Sequence, residues 1–176
     1  MKPHIILITG GQRSGKSQEA ERLALTLSRQ PVYVATAHVW DEEFRERVRR
    51  HQQRRGPQWT NIEEERWLSR HDLTGRVAVI DCVTLWCTNF FFDSGKGDDE
   101  QPSVDEALNA LKEEFDRFTN QDATLIFVTN EIGLGGVSPD AVQRRFTDLQ
   151  GWMNQYVASK ADEVILMVSG IPVKIK

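Results

Sequence analysis

Short apolar runs alternate with longer amphipathic stretches along the chain, and that alternation predicts a sheet layered with helices. Ile5-Ile6-Leu7-Ile8-Thr9 is an apolar run ending at a glycine pair, the pattern of a strand buried on both faces. Val32 to Thr36, Val77 to Asp81, Leu125 to Thr129 and Glu163 to Val168 read the same way. Residues 16–29 set Ala20, Leu23, Leu25 and Leu27 among polar positions, and Asp105 to Phe118 places Leu108, Leu111, Phe115 and Phe118 on one side. Both spacings are helical. Val83 to Phe92 is apolar enough to be a packed helix. Asp41 to Arg55 reads as a helix, basic in its second half and stopped by Gly56-Pro57. Ser138-Pro139 looks like a helix start, with serine as the cap and proline in the first turn, and the helix runs to about Ser159. Val173 to Ile175 is expected to pair back on the fifth strand across Gly170-Ile171-Pro172. Residues 57–75 show no clear period beyond a short helix near Glu64–Ser69, and Asp93 to Ser103 is a loop rich in Gly, Asp and Ser.

Strands separated by helices imply a mostly parallel sheet with helices on both faces. The 176 residues suit one domain, 1–176, with no internal repeat and no linker. A net charge of −4 gives no reason to seek nucleic acid or an anionic membrane. No apolar run approaches the ~20 residues of a membrane span, and Ile5 to Ile8 is too short for a signal-peptide core. Cys82 and Cys87 suggest neither a disulfide framework nor a metal knuckle, so a reducing, cytoplasmic setting is expected.

The chemistry starts at Gly10-Gly11-Gln12-Arg13-Ser14-Gly15-Lys16-Ser17, which fits G-x4-G-K-S between a strand and a helix. Glycines let backbone amides close around phosphate oxygens, and the helix start adds partial positive charge. Lys16 supplies a point charge for the β- and γ-phosphates, and the Ser17 hydroxyl is a magnesium ligand. Asp81 ends an apolar strand, where a carboxylate that holds magnesium opposite Ser17 belongs; the plainer alternative is a cap for the next helix. The expected fold is therefore α/β, a three-layer P-loop NTPase (RecA-like).

Residues 45–55 hold six arginines and one histidine. Arg47, His51 and Arg55 are four apart and would share one helix face. Flanking guanidinium groups would favour a neutral imidazole, which can attack a nucleotide α-phosphate. By spacing alone a solvated basic face with a structural histidine remains the stronger reading. Glu131, after the fourth strand, is a candidate acceptor for a substrate hydroxyl proton, or simply a loop carboxylate. Gly133, Gly135 and Gly136 follow it, and Trp152 and Met153 read as core or subunit contact.

With these residues placed, the chain closely resembles the bifunctional adenosylcobinamide kinase / adenosylcobinamide-phosphate guanylyltransferase family of cobalamin biosynthesis. The resemblance runs from Ile8 to Lys176 and rests on Thr9 to Ser17, Tyr33 to Ala37, Asp41 through His51 to Arg55, Trp59 and Glu63. It continues through Asp81 to Trp86, Thr88-Asn89, Thr129 to Gly135, Arg144 to Asp148, Asn154-Gln155 and Gly170-Ile171-Pro172. The chain departs from the family at Gly136-Val137-Ser138-Pro139-Asp140, where the proline is shifted by one, and at the glycine of Arg55-Gly56-Pro57.

The resemblance implies two reactions. ATP or GTP phosphorylates the aminopropanol hydroxyl of adenosylcobinamide. GTP then guanylylates a histidine, which falls on His51, and GMP passes to adenosylcobinamide phosphate with pyrophosphate released. Guanine-nucleotide contacts fall on Gly11, Gln12, Arg13, Ser14, Gly15, Lys16 and Ser17, on Ala35, Thr36 and Ala37, on Gln52, Gln53, Arg54 and Arg55, and on Glu63 and Asp81. The resemblance also implies a homotrimer. Two other functions stay open on the residues alone. One is a P-loop kinase of another small alcohol with His51 inert, and the other is a nucleotide-gated binding protein.

Overall fold

The strands β1 (His4–Gly10), β2 (Val32–Ala35), β3 (Thr60–Glu63), β4 (Val77–Asp81), β5 (Thr124–Val128), β6 (Glu163–Val168) and β7 (Ile171–Lys174) form one seven-stranded sheet. Their order is β3-β2-β4-β5-β1-β6-β7. Every pairing is parallel except the antiparallel β6–β7 hairpin. The computed structural model describes residues 2–38, 49, 55–92 and 103–176. The expected helix from Asp41 and the Gly/Asp/Ser loop fall mostly outside them.

Alternate residues of each inner strand serve different layers. Ile6, Ile8, Val79, Ile126 and Val128 pack with Ala20 and Ala24 of α1 (Lys16–Leu27) and with Trp59. Ile5, Leu7, Val34, Ile80, Leu125 and Phe127 face the other way, toward α2 (Val83–Phe91), α3 (Val104–Thr119) and α4 (Ala141–Lys160). That second cluster is the larger, with Trp86, Phe91, Leu111, Phe115, Phe118, Leu149 and Met153 fully buried. Two-sided burial is why these strands read as continuous apolar runs rather than alternating ones. Each such side chain contributes about 1.5–3 kcal/mol on leaving water. Helices on both faces of a mostly parallel sheet give the expected three layers.

The structure departs from the sequence reading at several places. β3 was not foreseen: Thr60-Asn61-Ile62-Glu63 exposes all but Ile62 and pairs only with β2, so this polar edge strand lacks the apolar signature. The short helix near Glu64–Ser69 is a 3₁₀ turn at Leu68–Arg70. α4 is capped by Asp140, whose carboxylate accepts from Gln143 N–H at 2.7 Å, and not by Ser138. Ser138 instead accepts from Asp140 N–H, and Arg144 donates to the carbonyls of Ser138 and Pro139, holding a turn ahead of the helix. The hairpin turns at Ser169-Gly170, with φ of 52° and 82°, so β7 starts at Ile171, inside the expected turn. Arg55 lies in a bend, and the helix expected to reach it does not include it.

Candidate active site

β1 delivers the phosphate loop at the carboxyl edge of the sheet. Gly10 has φ +151° and Gly15, the cap of α1, has φ +97°. A Cβ at Gly10 would lie 2.6 Å from the Met167 carbonyl oxygen, so glycine is required there by conformation and by space. Two neighbours brace the loop. Glu131 N–H donates to the Gly10 carbonyl at 3.1 Å, and Gly170 N–H donates to the Ser14 carbonyl at 2.9 Å. Gly11, Gln12 and Arg13 stay exposed at the crest. Lys16 is 7% exposed and its ammonium folds over the loop, donating to the Gly11 carbonyl and the Ser14 hydroxyl. Burial lowers the Lys16 pKa, while the Asp81 carboxylate opposes that shift.

Asp81 ends β4, two strands from β1 across β5, and its charge acts on Lys16. The helix-cap alternative for Asp81 does not hold. The residue capping α2 is Cys82, while Asp81 Oδ2 accepts from the Tyr33 hydroxyl at 2.6 Å. Thr36, fully buried, fixes the turn after β4: its hydroxyl donates to the Cys82 carbonyl at 2.7 Å and accepts from Cys82 N–H at 2.8 Å. Its backbone N–H donates to the Asp81 carbonyl, and its carbonyl accepts from Asn89. Thr36 therefore has no spare polar atom, whereas Ala35 and Ala37 are half-buried beside it. Burial pushes the Cys82 thiol up to about 12 and raises that of Cys87 further, so neither is a nucleophile near neutral pH.

The exit of β5 is a buried polar network. The Thr129 hydroxyl donates to Asn154 Oδ1 at 2.7 Å and accepts from Gln150 Nε2 at 2.9 Å. Asn154 Nδ2 donates to the Asn130 carbonyl at 3.0 Å and reaches Glu131 Oε1 at 3.3 Å. Asn130 donates to the Thr84 hydroxyl from both its backbone N–H and its side-chain amide. Glu131 is half-buried with its carboxylate tied down beside the phosphate loop. The sequence assigns no site role to Gln150, and marks Asn154 only as part of the resemblance. Their signal was a polar pair four residues apart on the inward face of α4.

Glu63 sits exposed at the carboxyl end of β3. The chain beyond it docks on α2, where the Asn89 amide donates to the carbonyls of Thr36 and Glu65 and the Trp86 indole donates to the Arg66 carbonyl. Arg55 is turned inward, its side chain only 3% exposed, and so does not stand on an outward helix face. Arg47, His51, Gln52, Gln53 and Arg54 lie outside the described residues.

Among the described residues no three His, Cys, Asp or Glu side chains are grouped to hold a metal. What remains is an oxygen pair, the Ser17 hydroxyl and Asp81 Oδ1, neither with a hydrogen-bond partner among the described residues. One hydroxyl and one carboxylate suit a hard cation that takes its other ligands from phosphate and water, as magnesium does.

A family model described as cobinamide kinase / cobinamide phosphate guanyltransferase matches residues 6–175. The bifunctional adenosylcobalamin biosynthesis protein CobU of Escherichia coli (strain K12) is 38% identical, over 98% of this chain and 99% of its own. The CobP protein of the same description from Pseudomonas aeruginosa is 36% identical, over 97% and 96%. Among solved structures, a prototypical ATPase from the type III secretion system of pathogenic bacteria aligns with 94% of this chain and 51% of its own, with a TM-score of 0.53 and 13% identity. That likeness is one of fold.

Proposed function

Because the chain belongs to the cobinamide kinase / cobinamide phosphate guanyltransferase family, we propose that one phosphate cradle serves two successive reactions, with His51 as the covalent carrier in the second. Membership makes the chain a transferase of cobalamin biosynthesis with both activities, kinase and guanylyltransferase.

In the kinase step the corrinoid hydroxyl attacks the γ-phosphorus of ATP or GTP and the nucleoside diphosphate leaves. Lys16 and the amides of Gly11 to Ser17 hold the phosphates, and Glu131 accepts the hydroxyl proton. In the transfer step a nitrogen of His51 attacks the α-phosphorus of GTP, forming a P–N bond as pyrophosphate leaves. The phosphate of adenosylcobinamide phosphate then attacks that phosphorus, the P–N bond breaks, and adenosylcobinamide-GDP departs with the imidazole restored. Ser17 and Asp81 would hold magnesium, which would supply neutralisation of developing phosphate charge. Ala35, Thr36, Ala37, Gln52, Gln53, Arg54, Arg55 and Glu63 frame the guanine nucleotide. For Thr36 and Arg55 that role is support from beneath, since their side chains are buried. The assembly is a homotrimer, with Trp152, 46% exposed on α4, as a subunit contact. The setting is the cytoplasm; among the described residues no helix is long and apolar enough to cross a membrane.

The observation that carries this reading is the convergence of three strand ends. Lys16 follows β1, Asp81 ends β4 close enough to act on Lys16, and Glu131 follows β5 and bonds the Gly10 carbonyl. Incubation with GTP labelled at the α-phosphorus tests it. Acid-labile, base-stable label on the protein, absent in His51→Asn while corrinoid phosphorylation persists, is expected. Phosphorylated product without any label would mean a kinase in which His51 is inert. Equal loss of both activities in His51→Asn would overturn the division of labour.

A further inference from the structure

Arg55 follows the segment that carries His51, and its guanidinium is turned into the protein. Cζ lies 3.5 Å from the centroid of the Tyr33 ring. Nε donates to Asn61 Oδ1 at 3.0 Å, and one terminal nitrogen sits 3.6 Å from Glu21 Oε1 on α1. Trp59 closes the ring from another side, edge-on at 6.1 Å. Tyr33 is thus walled in, 5% exposed, with its hydroxyl as the one polar atom it presents, and that hydroxyl meets Asp81 Oδ2 at 2.6 Å.

A cation over a phenol face draws electron density from the ring and strengthens the hydroxyl as a donor. A phenol donating to a carboxylate at this separation is a strong, charge-assisted bond that fixes the carboxylate's rotation. With Oδ2 pinned, Oδ1 is the oxygen left to face the phosphate cradle. We propose that Tyr33 is a positioning residue that orients the Asp81 carboxylate for the magnesium–nucleotide, and that Arg55 acts through Tyr33 rather than on the nucleotide. The anchor after the His51 segment and the metal-side carboxylate are then one mechanical unit, Arg55–Tyr33–Asp81. The inference rests on the reading of Asp81 as the magnesium-side carboxylate.

The test measures binding of a non-hydrolysable GTP analogue by calorimetry, with magnesium and with EDTA. Tyr33→Phe keeps the ring, the stack and the packing and removes only the hydroxyl. The gain in affinity that magnesium confers should fall about tenfold, a common consequence of removing a group that orients a metal ligand. Affinity in EDTA and the melting temperature should hold. Arg55→Lys, which keeps charge but loses the flat stack, should act in the same direction, and should add nothing in a Tyr33→Phe background. A purely structural Tyr33 would leave the magnesium gain at the wild-type value, or weaken binding equally with and without the metal; either result overturns the proposal. So do additive effects in the double variant. Asp81→Asn separates the two levels. If the magnesium gain survives in it, the metal reading of Asp81 is wrong and the inference falls with it. If the gain is lost there but intact in Tyr33→Phe, the inference alone is wrong.

Discussion

The Thr9 hydroxyl donates to Glu131 Oε1 at 2.7 Å, joining the residue before the phosphate loop to the carboxylate after β5. Asn154 holds the same oxygen from α4 at 3.3 Å. A carboxylate fixed by two donors at one oxygen keeps the other for a substrate hydroxyl. Glu131→Gln preserves shape and removes the basic oxygen, so corrinoid phosphorylation should fall about a hundredfold or more. Guanylylation of the protein by labelled GTP should continue. Parallel assays of the two reactions on one preparation check this, and equal losses would rule out Glu131 as a base for the kinase step alone.

Thr36→Val keeps the volume and deletes the hydroxyl that serves both the carbonyl and the N–H of Cys82. The buried Cys82 N–H is left unsatisfied, at a cost of about 1–3 kcal/mol, while the Cys82 carbonyl keeps the Trp86 N–H. Urea unfolding should show the loss for Thr36→Val and little change for Thr36→Ser. Nucleotide affinity should follow stability, because the turn being held is the one that presents Asp81.

Gly15→Ala forces a left-handed conformation on an L residue and drives Cβ to 3.3 Å from Gly170 Cα. The strain costs about 1–2 kcal/mol. A shift of the loop to relieve it would misalign the amides that cradle phosphate. Nucleotide binding by calorimetry should be lost while the far-ultraviolet circular dichroism spectrum stays native. Full binding in Gly15→Ala would show that the loop adapts.

Glu64 gives a pH dependence of stability. Burial works to raise its pKa, but N–H donors from Arg66 and Trp67 and the nearby His71 prevail and hold it below the ordinary 4.5. Because the folded value is the lower one, its stabilisation is complete above the unfolded value and is lost as pH falls through the folded one. Glu64→Gln should therefore lower stability by about 1 kcal/mol at neutral pH. The difference from wild type should close as pH falls through the folded value. Paired thermal melts across pH would reveal it, and a gap that widened on acidification would contradict the assignment.

Features whose physics is local were readable in the chain. Gly10 and Gly15 occupy positive-φ positions that the loop demands, so their spacing announced it. Asp81 stood out as a carboxylate closing an apolar run. What stayed hidden depends on partners brought by the sheet. β3 is an edge strand held by β2, with only Ile62 turned toward the core. Arg55 reads as one more member of a basic stripe until the pairing of β2 with β3 sets Tyr33 and Asn61 beside it. Ser138 and Asp140 are both good caps, and Arg144 settles the choice by engaging the carbonyls of Ser138 and Pro139. The Thr129–Asn154–Gln150 cluster joins residues more than twenty positions apart, which no local pattern encodes.

The amide of Gly170 that grips the Ser14 carbonyl has a consequence for biosynthesis. β1 is made first but gains one flank only when β6 inserts beside it, and the loop above gains its brace only at the hairpin turn. A nascent chain on the ribosome therefore has its nucleotide seat spelled out early and completed late. The loop reaches its fully braced form only after residue 170 has cleared the exit tunnel.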